Sequence, residues 1–362
     1  MHDDGKFMSL ALRLARRGLG NVFPNPAVGC VVINHGVILG RGWTQVGGRP
    51  HAEVMALNNA GELAKGSTVY VTLEPCSHYG RTGPCALKLI DAAVKRVVIA
   101  ARDPDVRVSG SGIKLLRNAN IDVECDIMCK EARELNIGFF YSKIKNRPFV
   151  TVKLASTLDG KIALSNGDSK WITNELTRNW VHKQRSMYDA IMIGSNTVVK
   201  DNPMLNTRIV SLECYSPMRI VIDRFSKVCD YHNIIKTANV IPTYILTNDP
   251  SKVKLGDATY LVVNGKDDFL RESMKILAEK IGITRVFVEG GGILITELLK
   301  NNLVDRIIWC RSNKIFGNDA VPAVNDLNLL SLQHDYNFKK INTLHFEEDV
   351  ADIFDCNRDE LV

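Results

Sequence analysis

The chain opens on an amphipathic stretch in which Phe7, Met8, Ala11, Leu14 and Ala15 fall at helical spacing, so a helix with one buried face is expected there. Two β-rich runs follow, over 28–33 and 37–43. They are joined by Asn34-His35-Gly36, the pattern of a short hairpin in which Gly can take a positive φ. Next the pattern predicts a helix from Ala52, a strand over 68–73, a helix from Pro84 and a strand over 96–101. A helix near 113–117 and a strand over 121–125 complete the run. Strands alternating with helices imply βαβ crossovers and a three-layer α/β/α domain.

The amphipathic stretch over 128–141 closes this run, and Lys-Ile-Lys-Asn-Arg-Pro over 143–148 is polar and Pro-terminated. A domain boundary is expected there, with one domain over 1–146 and a second over 147–362. The second half begins with a strand over 149–155 and alternates again. Its strongest strands are expected at 190–193, 219–223, 243–247, 260–263, 285–289 and 306–310, with helices near 174–187, 268–281 and 293–301. No repeat or low-complexity segment interrupts either half.

Composition narrows this picture without redirecting it. A length of 362 residues favours two cores over one, and 45% hydrophobic with 24% charged residues is an ordinary globular balance. The net charge of +6 is scattered along the chain, which suits phosphorylated small molecules as well as nucleic acid. Stretches of about 18 apolar residues are missing, as is the basic, apolar and small-residue sequence of a secretory signal. Nine cysteines at irregular spacings point to reduced thiols and a cytoplasmic protein. Cys125 and Cys129 read as structural.

Candidate chemistry concentrates in two short stretches. Pro50-His51-Ala52-Glu53 precedes a helix, and Glu74-Pro75-Cys76 follows a strand, with Cys85 behind Pro84 after eight intervening residues. One imidazole and two thiolates suit Zn2+, and three protein ligands leave the fourth tetrahedral position for water, the catalytic pattern. A helix start at Cys85 would stabilise its thiolate. Glu53 is the candidate general acid/base, taking a proton from water and returning it to a ring nitrogen and a departing amine. Residues two apart share no helix face, so His51 and Glu53 converge only if His51 stands at the helix boundary. The set is a variant of the H-x-E…P-C-x-x-C signature of zinc nucleobase deaminases, with a longer cysteine spacing. Taken singly, each cysteine would read as a small buried hydrophobe and His51 as a core histidine. A structural zinc site is the middle alternative, with His78 as a local fourth ligand. A tRNA-editing deaminase and a zinc-stabilised binding module are the competing functions; the long second half argues against the first and Glu53 against the second.

The motifs Asn25-Pro26-Ala27-Val28-Gly29, His51-Ala52-Glu53 and Glu74-Pro75-Cys76-Ser77-His78-Tyr79-Gly80-Arg81-Thr82-Gly83-Pro84-Cys85 resemble the bifunctional riboflavin-biosynthesis deaminase/reductase of the RibD type. The resemblance runs through the second half. There Lys153-Leu154-Ala155-Ser156-Thr157-Leu158-Asp159-Gly160-Lys161 looks like the opening of a reductase of dihydrofolate-reductase-like α/β fold. It implies a cytidine-deaminase-like first domain that deaminates 2,5-diamino-6-ribosylamino-4(3H)-pyrimidinone 5′-phosphate, and reduction of the ribosyl chain by the second, giving 5-amino-6-ribitylaminouracil 5′-phosphate. By the same resemblance Asn25 holds the pyrimidine, and the loop of His78 and Arg81 approaches it. Thr44 stands where the family often has His, and Asp103-Pro104-Asp105-Val106 lacks a second Pro.

In the second half the resemblance implies NADPH contacts from Ala155, Trp171, Thr197 and Asp201, and from the run Gly291, Gly292, Ile293, Leu294, Ile295, Thr296 and Glu297. It implies substrate contacts from Ser169, Arg185, Leu205, Arg208 and Glu289. A glycine-rich turn at 290–292 between a strand and a helix fits a pyrophosphate, and arginines fit a phosphate. Arg224 and Lys227 are candidates for the cofactor's 2′-phosphate. A homo-oligomer is expected, with neither nucleic acid nor membrane as partner.

Overall fold

The computed structural model describes residues 4–80, 83–105, 108–265, 268–331 and 336–356. The chain divides into two compact units, the first running to Asn146 and the second starting at Arg147.

In the first unit α1 (Asp4–Ala15) leads to the hairpin β1 (Gly29–Asn34) and β2 (Val37–Trp43). After it come α2 (Ala52–Ala60), β3 (Thr68–Val71), α3 (Cys85–Asp91), β4 (Arg96–Ile99), α4 (Ser111–Asn118), β5 (Asp122–Glu124), α5 (Cys129–Leu135) and α6 (Ile137–Ile144). The sheet order is β2-β1-β3-β4-β5. β1 is antiparallel to both neighbours, whereas β3, β4 and β5 run parallel. Close approaches set the layers. A Cβ on Gly29 would lie 1.9 Å from the Ala11 carbonyl oxygen of α1, and one on Gly42 would lie 2.2 Å from the Ala52 oxygen of α2. Gly42 pairs with Cys30, the neighbour of Gly29, and adjacent strand residues point to opposite faces, so α1 and α2 cover opposite sides of the sheet.

The amphipathic stretch expected over 128–141 is two helices. Asn136 ends α5 and caps α6, and its buried side chain pairs with Ala27, accepting from the backbone N–H at 2.8 Å and donating to the carbonyl at 2.9 Å. That bond fixes the Asn25–Ala27 turn against the helix pair.

The second unit contains β6 (Phe149–Ser156), β7 (Lys161–Ala163), α7 (Glu175–Arg185), β8 (Ala190–Gly194), α8 (Ser195–Asp201), β9 (Met218–Ile222), α9 (Asn233–Lys236) and β10 (Thr243–Thr247). Beyond these lie β11 (Lys254–Leu255), β12 (Ala258–Val262), α10 (Phe269–Ile276), β13 (Arg285–Val288), α11 (Gly292–Lys300), β14 (Arg306–Arg311), β15 (Val321–Pro322), β16 (Phe338–Phe346) and β17 (Asp349–Cys356). A ten-stranded sheet in the order β11-β12-β10-β9-β8-β13-β6-β14-β17-β16 forms its centre, with β15 and β7 as a separate pair. The strands from β12 to β14 are parallel, and their interiors are near-continuous apolar runs, as fits strands buried on both faces. α8 and the β16–β17 hairpin are not foreshadowed by the apolar pattern: α8 is short, and β16 is exposed along most of its length. No helix among the described residues is long and apolar enough to cross a membrane.

Candidate active sites

The ligand atoms of His51, Cys76 and Cys85 all lie within 4.8 Å of one another, and no other such group of three occurs among the described residues. Each owes its place to an element end. His51 is the N-cap of α2 in extended conformation, which turns its ring away from the helix axis and lets Glu53, in the first turn, face the same side. Cys85 is the first residue of α3 behind Pro84, and Cys76 lies beyond the end of β3. The backbone N–H of Cys85 donates to Cys76 Sγ at 3.3 Å, and the Cys76 carbonyl accepts from Ala86 at 3.1 Å. His51 Nδ1 lies 3.3 Å from Cys85 Sγ and 3.7 Å from Cys76 Sγ. Zinc bonds of 2.0–2.3 Å in a tetrahedron separate donor atoms by about 3.3–3.8 Å, so the residues present fit the metal. A hydrogen bond from Cys85, aided by His51 and the Cys85 N–H, holds the Cys76 thiol down at about 4 despite burial. His78 lines the adjoining cavity but does not join the three. Cys125 and Cys129 pack beside the core, and burial raises both thiols.

That cavity has a volume of about 170 Å³, with Glu53, Asn25, Asp103 and Lys143 among its walls. Glu53 is 3% exposed, and burial pushes its carboxyl upward. Gly48, at φ +83°, passes beneath Asn25, where a Cβ would stand 2.0 Å from the amide nitrogen. Thr44 is committed to the backbone: its hydroxyl donates to Pro26 O at 3.1 Å and accepts from Val28 N at 3.0 Å. Opposite, burial raises the Asp103 carboxyl to about 7, and Lys143 pairs with Asp105 at 3.1 Å. This wall hangs on Glu74, which in the sequence is no more than the first residue of the Glu74-Pro75-Cys76 motif. Its carboxylate accepts from the backbone N–H groups of Asp103, Gly110, Gly112 and Ile113 at 3.0–3.3 Å. Arg81 and Val106 lie outside the described residues.

In the second unit a cavity of about 870 Å³ opens at the carboxyl ends of β8, β9 and β13, where parallel sheets bind ligands. Ser169, Thr197, Asp201 and Glu297 line it, as do Gly291, Gly292, Ile293 and Leu294 at the amino end of α11. Arg224, Phe225 and Lys227, from the turn after β9, close one part of it, and Lys227 donates to Asn196 at 2.8 Å. Ile295 and Thr296 turn their side chains into the protein on the same helix, at 1% and 2% exposure. Ala155 is half-buried on β6, while Trp171 is exposed with the Arg178 guanidinium 4.4 Å from its ring centroid; neither lines this cavity.

Of the candidate substrate residues, Ser169 lines the large cavity, while Arg185, Leu205, Arg208 and Glu289 belong to a second cluster. Arg185, at the end of α7, donates to Glu289 at 2.9 Å and to Asn206 O at 2.9 Å. Burial alone would raise Glu289, but Arg185 and Lys153 bring it down to about 2. Leu205 is buried at φ +51°, on the turn that carries Arg208. His182, unnoticed in the sequence, lies between the two arginines.

The RibD C-terminal domain family matches residues 148–351, and the zinc-binding region of cytidine and deoxycytidylate deaminases matches residues 1–101. This chain belongs to the RibD family. The riboflavin biosynthesis protein RibD of Aquifex aeolicus is 40% identical over 355 residues, covering 97% of this chain and 98% of its own. RibD of Escherichia coli is 38% identical over 361 residues, covering 96% and 98%. Among solved structures, the diaminohydroxyphosphoribosylaminopyrimidine deaminase/5-amino-6-(5-phosphoribosylamino)uracil reductase of Thermotoga maritima matches with a TM-score of 0.88 at 35% identity, over 98% of this chain and 99% of that one. RibD of Acinetobacter baumannii matches at 0.90 and 33%, with the same coverage. The RibD chain is thus a cytidine-deaminase-like domain followed by a RibD reductase domain.

Proposed function

We propose that residues 1–146 deaminate 2,5-diamino-6-ribosylamino-4(3H)-pyrimidinone 5′-phosphate and that residues 147–362 reduce the ribosyl chain of the product to ribityl. The coarser statement follows from the family: the chain is a bifunctional deaminase and reductase of riboflavin biosynthesis, with zinc and NADPH as cofactors. The observation that carries the finer reading is the joint placement of three zinc-competent donors and the buried Glu53 on one small cavity that also holds Asn25.

His51, Cys76 and Cys85 would hold the zinc, whose Lewis acidity makes water a nucleophile at neutral pH. Glu53 takes one proton from the attacking water and passes it to the ring nitrogen, then takes the second from the added hydroxyl and passes it to the leaving amine. Asn25, set by Asn136 and Gly48, orients the pyrimidine. In the second unit the amino end of α11 receives the NADPH pyrophosphate through its open N–H groups. Arg224 and Lys227, both in the lining of that cavity, would hold the 2′-phosphate. NADPH supplies the hydride, while Ser169, Arg185, Arg208 and Glu289 hold the phosphosugar. Nine free cysteines support a cytoplasmic setting, and a homo-oligomer belongs to the same proposal.

The test is incubation of purified protein with the diaminopyrimidinone phosphate, with and without NADPH. Ammonia release without NADPH, and NADPH oxidation only after deamination, are expected. Ammonia release without any NADPH oxidation would remove the reductase half of the proposal.

A further inference from the structure

His182 sits on α7 one turn before Arg185 and is 8% exposed. Its Nδ1 faces two donors, the backbone N–H of Arg208 at 3.3 Å and Arg185 Nη1 at 3.3 Å. An imidazole nitrogen that faces two N–H groups is an acceptor, so the ring's one proton belongs on Nε2. The charged and titratable groups around it are Arg185 on its own helix, Arg208 on the turn, Glu289 after β13 and Lys153 on β6. Burial, and then the two arginines, lower the imidazole to about 4, so the ring is neutral near pH 7.

This assignment leaves a mismatch. Nε2 lies 3.2 Å from Arg208 Nη2, which is also a donor, so the two N–H groups cannot bond each other and are placed to share one acceptor. Among the described residues no other hydrogen-bond partner of Nε2 and no carboxylate partner of Arg208 is found. Arg185, by contrast, is matched by Glu289. Three cations against one carboxylate leave the cluster positive, and an acceptor oxygen carrying negative charge would match both donors.

We propose that His182 is a further phosphate-binding residue of the reductase site, donating its Nε2–H to the phosphate oxygen that Arg208 also holds. Nδ1, through the Arg208 N–H and Arg185, orients the ring for that contact. A neutral imidazole between two arginines serves better here than a third cation, because it adds a donor without adding repulsion. This inference rests on the reading of Arg185 and Arg208 as substrate residues.

The experiment uses the full-length zinc protein with NADPH bound and ribose 5-phosphate as the probe, with ribose as the control. An Asn amide oxygen can replace Nδ1 but leaves no donor at the Nε2 position, whereas a Gln amide nitrogen reaches it. H182N should weaken ribose 5-phosphate binding by about tenfold, the size of one charge-assisted hydrogen bond. H182Q should lose less, and both should keep NADPH affinity and bind ribose as the parent does. In parent protein with ring-15N histidine, one Nε2–H signal absent from H182N should shift with ribose 5-phosphate and stay put with ribose. An H182N variant that binds like the parent, equal losses in both variants, or an unshifted signal would each overturn the proposal. Parent protein that turns over the aminopyrimidinone phosphate while that signal stays still removes only the role of His182. Parent protein that never oxidises NADPH removes the reading beneath it.

Discussion

In the first unit the proposed metal donors and proton shuttle come from two short stretches, 51–53 and 76–85, each placed by a helix start or strand end within a few residues. In the second unit the candidate residues that line the large cavity come from segments scattered between Ser169 and Glu297, at the carboxyl edge of a ten-stranded sheet. A metal needs three donors within one small sphere, so local chain geometry suffices to present them. A dinucleotide and a phosphosugar are long, and a surface that reads them is assembled from distant loops. Single substitutions are therefore expected to act with different force on the two sides.

The largest effect is expected at Cys85. Cys85→Ser removes one of the three proposed protein ligands, the one at the start of α3, so zinc content by elemental analysis should fall and deamination should be lost. Reduction of already deaminated substrate should continue at the parent rate. Retained zinc would break the contrast at its root.

A smaller but still large effect is expected at Glu53, which is held at the metal cavity rather than bound to the metal. Glu53→Gln preserves shape and hydrogen bonding but cannot carry a proton. Zinc should stay, and deamination measured as ammonia release should drop by at least about 100-fold. A normal rate would move the shuttle elsewhere.

The distributed site should yield the gentlest loss. Arg224→Ala removes one of the two cations proposed for the 2′-phosphate, with Lys227 still in the lining of the same cavity. Calorimetric titration should show NADPH bound about tenfold more weakly and NADH unchanged. An equal loss for both nucleotides would show Arg224 to be a wall of the cavity and no reader of the 2′-phosphate.

The same contrast accounts for what could be read before the fold was known. His51, Cys76 and Cys85 stand beside Pro50, Pro75 and Pro84 at element ends, so residue type and local pattern together announce them. The central strands are similarly plain, because burial on both faces demands unbroken apolar runs such as Ala190–Gly194. Asn136 gives no local sign of its task, since its partner Ala27 lies 109 residues away. His182 looks like one more polar residue on a helix until a turn more than 20 residues later brings Arg208 against it. β16 escapes notice because an exposed strand such as Lys339-Lys340-Ile341-Asn342 carries no alternation of buried and open positions.

Glu74 has a consequence for anyone exchanging parts between relatives. Two residues before Cys76, one carboxylate gathers four N–H groups of the segment from Asp103 to Ile113. The strand end bearing Cys76 and the acidic wall across the cavity are thereby riveted into one unit of inheritance. A graft that imports a new 103–113 loop must present those four donors to Glu74 in the old register, or bring its own residue 74 with it. Loop transplantation here obeys the rule of a keystone, whose neighbours are cut to its shape.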